Sequence, residues 1–261
     1  MTPITRITSR DNVLITRVRR LLGGGAAYRR VGQVWLEGDH LLRAARARGV
    51  QLGTVLVASS RANDAELADL LVGADRIGVV DDELWRELSS LESPASVGAL
   101  IAKPLTPRVE RGAPSVVLDR VQDAGNVGSI LRSAAALGFG QVIALSGTAA
   151  LWSTKVLRAG MGAHFGLCLV EGATIDTLAQ LQVPLLGTSS HAAERLDQSG
   201  IEWPCAWVFG HEGQGLDAEL ASRCAHILAI PQPGGEESFN VAAAAAICLY
   251  ESVRRRSNQA D

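Results

Sequence analysis

The chain has 261 residues, 47% of them hydrophobic and 4% aromatic, with 25 Lys and Arg against 27 Asp and Glu. This apolar content suits one large domain or two modest ones with a real core, and it excludes a disordered or fibrous chain. The formal net charge of −2 averages over unequal parts: residues 1–50 carry ten Arg and three acids, whereas residues 119–261 carry nine bases and fourteen acids. Such a basic head fits a polyanionic partner or a solvated arginine face, and charge alone leaves both open. Cys168, Cys205, Cys224 and Cys248 include no CxxC pair and none lies near a His at ligand spacing. No metal site is expected, and scattered thiols suit a reducing compartment. The opening stretch MTPITRITSRDN lacks the apolar core of a signal peptide, and the longest apolar run, Val241 to Tyr250, is short. It is about half of the roughly 20 residues a bilayer span needs, so the expectation is a soluble, cytoplasmic protein with no membrane partner.

In chain order, Asp11-Asn12 can cap a helix to about Leu22, ended by Gly23-Gly24-Gly25. Val31–Leu36 alternates like a strand, and Gly38-Asp39 turns into an arginine-rich helix, Leu41–Arg48. A strand Leu52–Ala58, a helix Asp64–Leu71, a strand Ile77–Val80, a short helix from Asp82 and a strand Val97–Ile101 complete a small α/β domain, 1–102. Residues 103–114, KPLTPRVERGAP, hold three prolines and four charges and read as a linker. The second domain, 115–261, opens on an apolar strand, Ser115–Asp119, then a helix from about Val127 to Leu137. Further strands are predicted at 141–145, 167–170, 183–186, 206–209 and 227–230, and a small-residue helix at 241–250. Alternation of this kind implies an α/β fold with a mostly parallel sheet covered by helices.

Ligands of open α/β sheets bind beyond the carboxyl ends of strands. Four loops stand there: 120–132, 187–190, 210–215 and 231–240. Gly125 and Gly128 lack dinucleotide spacing, the loop Gly210-His-Glu-Gly-Gln-Gly215 has no P-loop lysine, and His211-Glu212 lacks the second His of a zinc protease. A nucleophile elbow is absent too. What remains is a set of polar residues: Asn126, Arg132, Glu212, Ser238 and Asn240. Ser238 and Asn240 can equally be helix N-caps, Arg132 a surface ion-pair partner and Glu212 a plain loop acid. Arg132 follows Asn126 by six positions, about 1.7 turns of an ideal helix, so the two need not share a face; their meeting requires Asn126 to lie in the turn before it.

At these residues the sequence resembles the SpoU/TrmH class of RNA ribose 2′-O-methyltransferases within the SPOUT superfamily. Asn126-Val-Gly-Ser-Ile-Leu-Arg-Ser-Ala134 looks like the first motif and Trp207-Val-Phe-Gly-His-Glu-Gly-Gln-Gly-Leu216 like the second. The stretch Ile230–Ala243, IPQPGGEESFNVAA, looks like the third, and residues 1–100 resemble a basic substrate-binding domain that precedes many such catalytic domains. The resemblance implies a C-terminal trefoil knot, a bent S-adenosylmethionine held near Thr188, Gly210, Ile230 and Phe239, and a homodimer sharing its active sites. It makes Arg132 the catalytic arginine, with Asn126, Glu212, Ser238 and Asn240 orienting it, the ribose and the target phosphate.

The implied activity is methyl transfer to a ribose 2′-hydroxyl of RNA, with ribosomal RNA favoured over transfer RNA. The other class to weigh is an idle RNA-binding or ribosome-assembly factor with the same fold, and a third is a base-nitrogen methyltransferase. The arginines at 17, 19, 20, 29 and 30 are expected to attract phosphates. Two departures from the family pattern are His211, where many relatives have Asn, Ser or Ala, and Phe239 in place of Leu. Glu236 and Glu237 also set two acids close to the expected RNA approach.

Overall fold

The computed structural model describes residues 3–89, 94–234 and 238–259, with 257–259 described by backbone alone. The chain forms two compact units, residues 1–105 with 152–165 and residues 106–151 with 166–261. The sequence pattern assigned 152–165 wholly to the second domain. Between residues 103 and 114 there is neither helix nor strand.

The first unit runs β1 (Ile4–Ile7), α1 (Val13–Gly23), α2 (Ala27–Val31), β2 (Gln33–Glu37), α3 (Asp39–Ala47), β3 (Thr54–Ala58), α4 (Ala65–Leu71), β4 (Arg76–Val80), α5 (Asp82–Trp85) and β5 (Val97–Ala102). Its sheet has the order β1-β4-β3-β5-β2. The first three strands are parallel, and β5 runs antiparallel to β3 and β2. Asn12 caps α1 by accepting from Leu14 N at 2.9 Å, and the helix buries Ile15, Val18 and Leu21 on one face. Its arginines are thereby left on the other faces. Gly98 is needed where it stands, because a Cβ there would lie 2.3 Å from the buried indole of Trp35.

The second part of the chain runs β6 (Ser115–Leu118), α6 (Ala124–Ala136), β7 (Gln141–Leu145), α7 (Thr154–Gly160), β8 (Cys168–Ala173), β9 (Leu185–Thr188), β10 (Glu194–Arg195), β11 (Ala206–Phe209), α8 (Ala218–Ser222), β12 (His226–Ala229) and α9 (Val241–Gln259). Of these, α7 lies in segment 152–165 and packs on β2 of the first unit. The seven strands are all parallel, in the order β10-β12-β9-β11-β6-β7-β8. Every residue of β6, β7 and β11 is buried, as expected of parallel strands covered on both faces.

Val117, Ile143, Val170 and Val208 face one cluster, closed by Leu178, Leu181 and Leu220. Alternation sends Trp207 to the opposite face. There its Nε1 donates to the buried Ser252 Oγ of α9 at 2.8 Å, and α9 packs on both β11 and α6. Among the described residues no helix is long and apolar enough to cross a membrane.

Among the boundaries that differ from the sequence pattern, three have identifiable reasons. β9 begins at Leu185 rather than at 183, because Pro184 has no N–H for the ladder. α6 starts at Ala124 rather than Val127, because Asp123 caps it, accepting from Asn126 N at 2.7 Å. α9 continues nine residues past 250, supported by Glu251, which accepts from Arg254 Nε at 2.8 Å and Arg255 Nε at 2.6 Å. Arg255 also donates to Leu196 O at 2.8 Å and to Ser199 O.

The Arg254 hydrogen bonds, with Arg255 adding to them against the opposing effect of burial, draw the Glu251 carboxyl down to about 2. A depressed carboxyl contributes stability above the ordinary carboxylate range and loses it as pH falls through the folded-state value. Because Arg254 is half exposed, Glu251→Gln is expected to cost about 1 kcal/mol at neutral pH rather than the full amount of the shift. Denaturant titrations should show that cost shrinking between about pH 4.5 and pH 2; a cost independent of pH would mean the ion pairs are not its source.

Candidate active site

The site follows from the strand order. From β6 the sheet grows one way through β7 and β8, and on the other side lie β11, β9, β12 and β10. A reversal of this kind opens a crevice at the carboxyl ends of the two central strands. Leu118 of β6 lies opposite Phe209 of β11, and Asp119 N donates to Phe209 O at 2.8 Å. The loops leaving these strands, 119–123 and 210–217, are therefore neighbours.

Glu212 spans them. Its carboxylate accepts from Gln122 N at 3.4 Å, Asp123 N at 3.3 Å and Asn126 Nδ2 at 3.1 Å. Burial opposes its ionisation, but the Asn126 amide and the main-chain N–H groups outweigh that and hold it below the usual carboxylate range. Asn126 Oδ1 in turn accepts from Asn240 Nδ2 at 3.0 Å. Asn240 Oδ1 accepts from Ala242 N at 2.9 Å and Ala243 N at 3.3 Å, so this residue both caps α9 and joins the cluster. Three of the five polar residues singled out from the sequence thus form one hydrogen-bonded chain across the beginnings of two helices.

The other two stand apart from that chain. Asn126 lies in the first turn of α6, inside the helix rather than before it, so Arg132 lies about 120° around the axis and about 9 Å along it. Arg132 is exposed and has no hydrogen bond or ion pair to any described residue. Ser238 is exposed, and Asn240, not Ser238, caps α9. Gly235, Glu236 and Glu237 of the third motif lie outside the described residues.

Thr188 ends β9, while Gly210 and Ile230 directly follow β11 and β12. These three strands are adjacent in the sheet, so the three residues line its carboxyl edge. Gly210 admits no side chain, since a Cβ would fall 2.4 Å from the Gly215 backbone. Phe239 leaves 42% of its surface exposed. His211 Nδ1 accepts from Gly213 N at 3.0 Å and Gln214 N at 3.2 Å. That is the turn an Asn or Ser oxygen would make.

Asp123, the cap of α6, and buried Asp119, which accepts from Asp217 N at 2.8 Å, tie the loops to the sheet. Neither was singled out from the sequence. Asp123 had a readable signal as an Asx residue preceding an apolar run. Among the described residues no group of three or more His, Cys, Asp or Glu is arranged to hold a metal.

In the first unit, α1, α2 and β2 border a groove of about 1110 Å³ lined by Arg17, Arg20 and Arg30 with Asp11, Val13 and Gln33. Arg17 Nη1 donates to Gln33 Oε1 at 2.8 Å. By contrast Arg19 is paired with Glu87, and the Arg29 guanidinium lies 5.7 Å above the Tyr28 ring.

The profile of the SpoU rRNA methylase family matches residues 113–250. The chain belongs to that family. It is 31% identical to an uncharacterized tRNA/rRNA methyltransferase of Synechocystis sp., an alignment covering 97% of this chain and 95% of the relative. It is 28% identical to the 23S rRNA (guanosine(2553)-2′-O)-methyltransferase RlmP of Bacillus subtilis, over 82% of this chain and 86% of RlmP. The structure of the SpoU methyltransferase AviRb from Streptomyces viridochromogenes, in complex with the cofactor AdoMet, superposes with a TM-score of 0.86 at 27% identity, covering 94% of this chain and 98% of AviRb. The family that the three motifs resemble, and the α/β fold expected from the alternation of strands and helices, are the ones found. The first SpoU motif lies on α6, the second on β11 and its loop, and the third ends in α9.

Asn126→Ala removes the donor to Glu212 and the acceptor of Asn240 while leaving the α9 cap intact. It is expected to cost about 1 kcal/mol of stability. The Glu212 carboxyl should also titrate higher, since the burial that opposes ionisation persists; NMR titration of the side-chain carboxyl reads this, and an unmoved titration would mean Asn126 does not hold Glu212.

Proposed function

We propose that this chain transfers the methyl group of S-adenosylmethionine to a ribose 2′-hydroxyl of ribosomal RNA. The observation that carries the proposal is the hydrogen-bonded chain Glu212–Asn126–Asn240, which unites residues of all three SpoU motifs at the reversal point of a parallel sheet. Similarity to a 23S rRNA 2′-O-methyltransferase and to an AdoMet-bound methyltransferase supports the substrate class and the cofactor.

The residues at the sheet edge suit such a cofactor chemically. Thr188, Gly210 and Ile230 offer main-chain donors and acceptors for adenine and ribose, without a formal charge, and the exposed face of Phe239 offers apolar contact. S-adenosylmethionine supplies an activated methyl group, so the protein's share is to position the hydroxyl and ease loss of its proton. Arg132 has five donors and no acceptor. Its role is to stabilise the oxyanion that develops at the ribose or to grip the neighbouring phosphate with its planar fork. An unpaired, exposed guanidinium is free to do either. Glu212, held ionised with its oxygens already occupied, orients the cluster rather than taking the proton. Ser238, next to Phe239 in the third motif, contacts the RNA phosphate.

The trefoil knot of SPOUT proteins and a cytoplasmic homodimer complete the proposal. Tyr250, 58% exposed on α9, is suited to contact a second copy of the chain. RNA is held electrostatically by the first unit, where Arg17, Arg20 and Arg30 share one groove.

Two experiments test these assignments. Arg132→Ala is expected to lower turnover at least about 100-fold, with S-adenosylmethionine affinity by calorimetry nearly unchanged; normal turnover removes the role given to Arg132. Replacing Arg17, Arg20 and Arg30 together by Gln should weaken RNA binding and flatten the dependence of log K on log salt by about 2 to 3. An unchanged slope would show that the groove holds no phosphate.

A further inference from the structure

Arg120 has a backbone conformation that its side chain disfavours. Its φ is +56°, a region that glycine enters freely and an L-residue with a Cβ enters only under constraint. The constraint is visible. Arg120 Nε and Nη2 donate to the two oxygens of Asp119, each at 2.9 Å, and Asp119 is only 3% exposed. Hydrogen bonding to that carboxylate raises the guanidinium's pKa above its already high value. The aliphatic stem rests on Gly147, where a Cβ would lie 3.1 Å from Arg120 Cγ.

The guanidinium also reaches the second-motif loop. Nη1 donates to Gln214 Oε1 at 3.0 Å and Nη2 to Gly215 O at 3.4 Å. Gly215 O accepts from His211 N at 3.0 Å as well, while Gly215 N returns a bond to His211 O at 2.9 Å. Loop 210–217 is therefore fastened to the end of β6 at two places. Glu212 is held by Gln122, Asp123 and Asn126, while Gln214, Gly215 and Asp217 are held by Arg120 and Asp119. Glycine would meet the backbone requirement at 120 without strain, so strain retained beside the site directs attention to what the side chain does.

We infer that Arg120 is a positioning residue whose guanidinium clamps loop 210–217 to the end of β6, holding Glu212, and through it Asn126 and Asn240, in place for methyl transfer. The catalytic part of the inference rests on the function proposed above; the clamp itself does not.

Two variants of the full-length protein separate the clamp from general folding. Arg120→Lys keeps a cation beside buried Asp119 but gives up the planar fork that reaches Gln214 and Gly215. Arg120→Gly removes the side chain and relieves the backbone. In hydrogen exchange, both are expected to speed the amides of Gln122, Asp123 and Gly215 at least about 10-fold while β6 and β7 keep their protection. With S-adenosylmethionine and ribosomal RNA from cells lacking the gene, kcat should fall about 10-fold for both variants, and KM for S-adenosylmethionine should stay within about twofold. Unchanged exchange in both variants overturns the clamp, and faster exchange with unchanged kcat overturns its part in the reaction. If the wild-type protein methylates no RNA, the functional proposal falls, and exchange still decides the clamp.

Discussion

The pairing of β6 with β11 is the constraint on which the site depends. The strands are distant in sequence, and neither has a polar side chain that would specify its neighbour apart from Ser115. Their register is set by burial: every residue on both strands is covered, and Val117 and Val208 must meet the same cluster while Trp207 meets α9. A one-residue slip would exchange those faces. It would also move Asp119 from Phe209 and separate the two loops that Glu212 joins. The geometry of the polar groups is thus a consequence of apolar packing several residues away.

Around this junction the charges are arranged to remain fixed. Glu212 sits among N–H donors just before α6, where an anion is favoured by the helix start as well as by hydrogen bonds. Asp119 is buried yet doubly satisfied by Arg120 and by Asp217 N. Glu212, held below the usual carboxylate range, is not poised to exchange protons near neutrality, which agrees with a reaction whose reactivity is carried by the methyl donor. Arg132 differs: its guanidinium is exposed and has no hydrogen bond or ion pair to any described residue, so it remains available to a substrate.

Much of this was readable from the residues alone, and the failures are physical. Uninterrupted apolar runs at 116–118, 142–145 and 206–209 mark covered parallel strands. The three motif loops fell at strand ends for the same reason. The start of α6 was missed because Gly125 and Asn126 are poor helix formers, and the Asp123 cap outweighs them. That error placed Asn126 outside the helix and left its relation to Arg132 open. β1 escaped notice because three of its four residues are exposed, so its pattern has little apolar contrast. The packing of 152–165 with the first unit has no local signature at all, since it depends on which surface the helix finds. The left-handed Arg120 is equally illegible, because the partners that hold its side chain include Gln214 and Gly215, almost 100 residues away.

The edges of the seven-stranded sheet bear on how copies of the chain can associate. One edge strand, β10, has only two residues, Glu194 and Arg195, both exposed. The other, β8, breaks register between Ala144 and Leu145 of its neighbour and carries Gly172 at a φ of +67°. Short charged ends and irregularities of this kind discourage a foreign strand from adding on. Lateral growth of this sheet into a continuous ribbon is therefore disfavoured on both sides, and any closed association of copies is left to surfaces other than its strand edges.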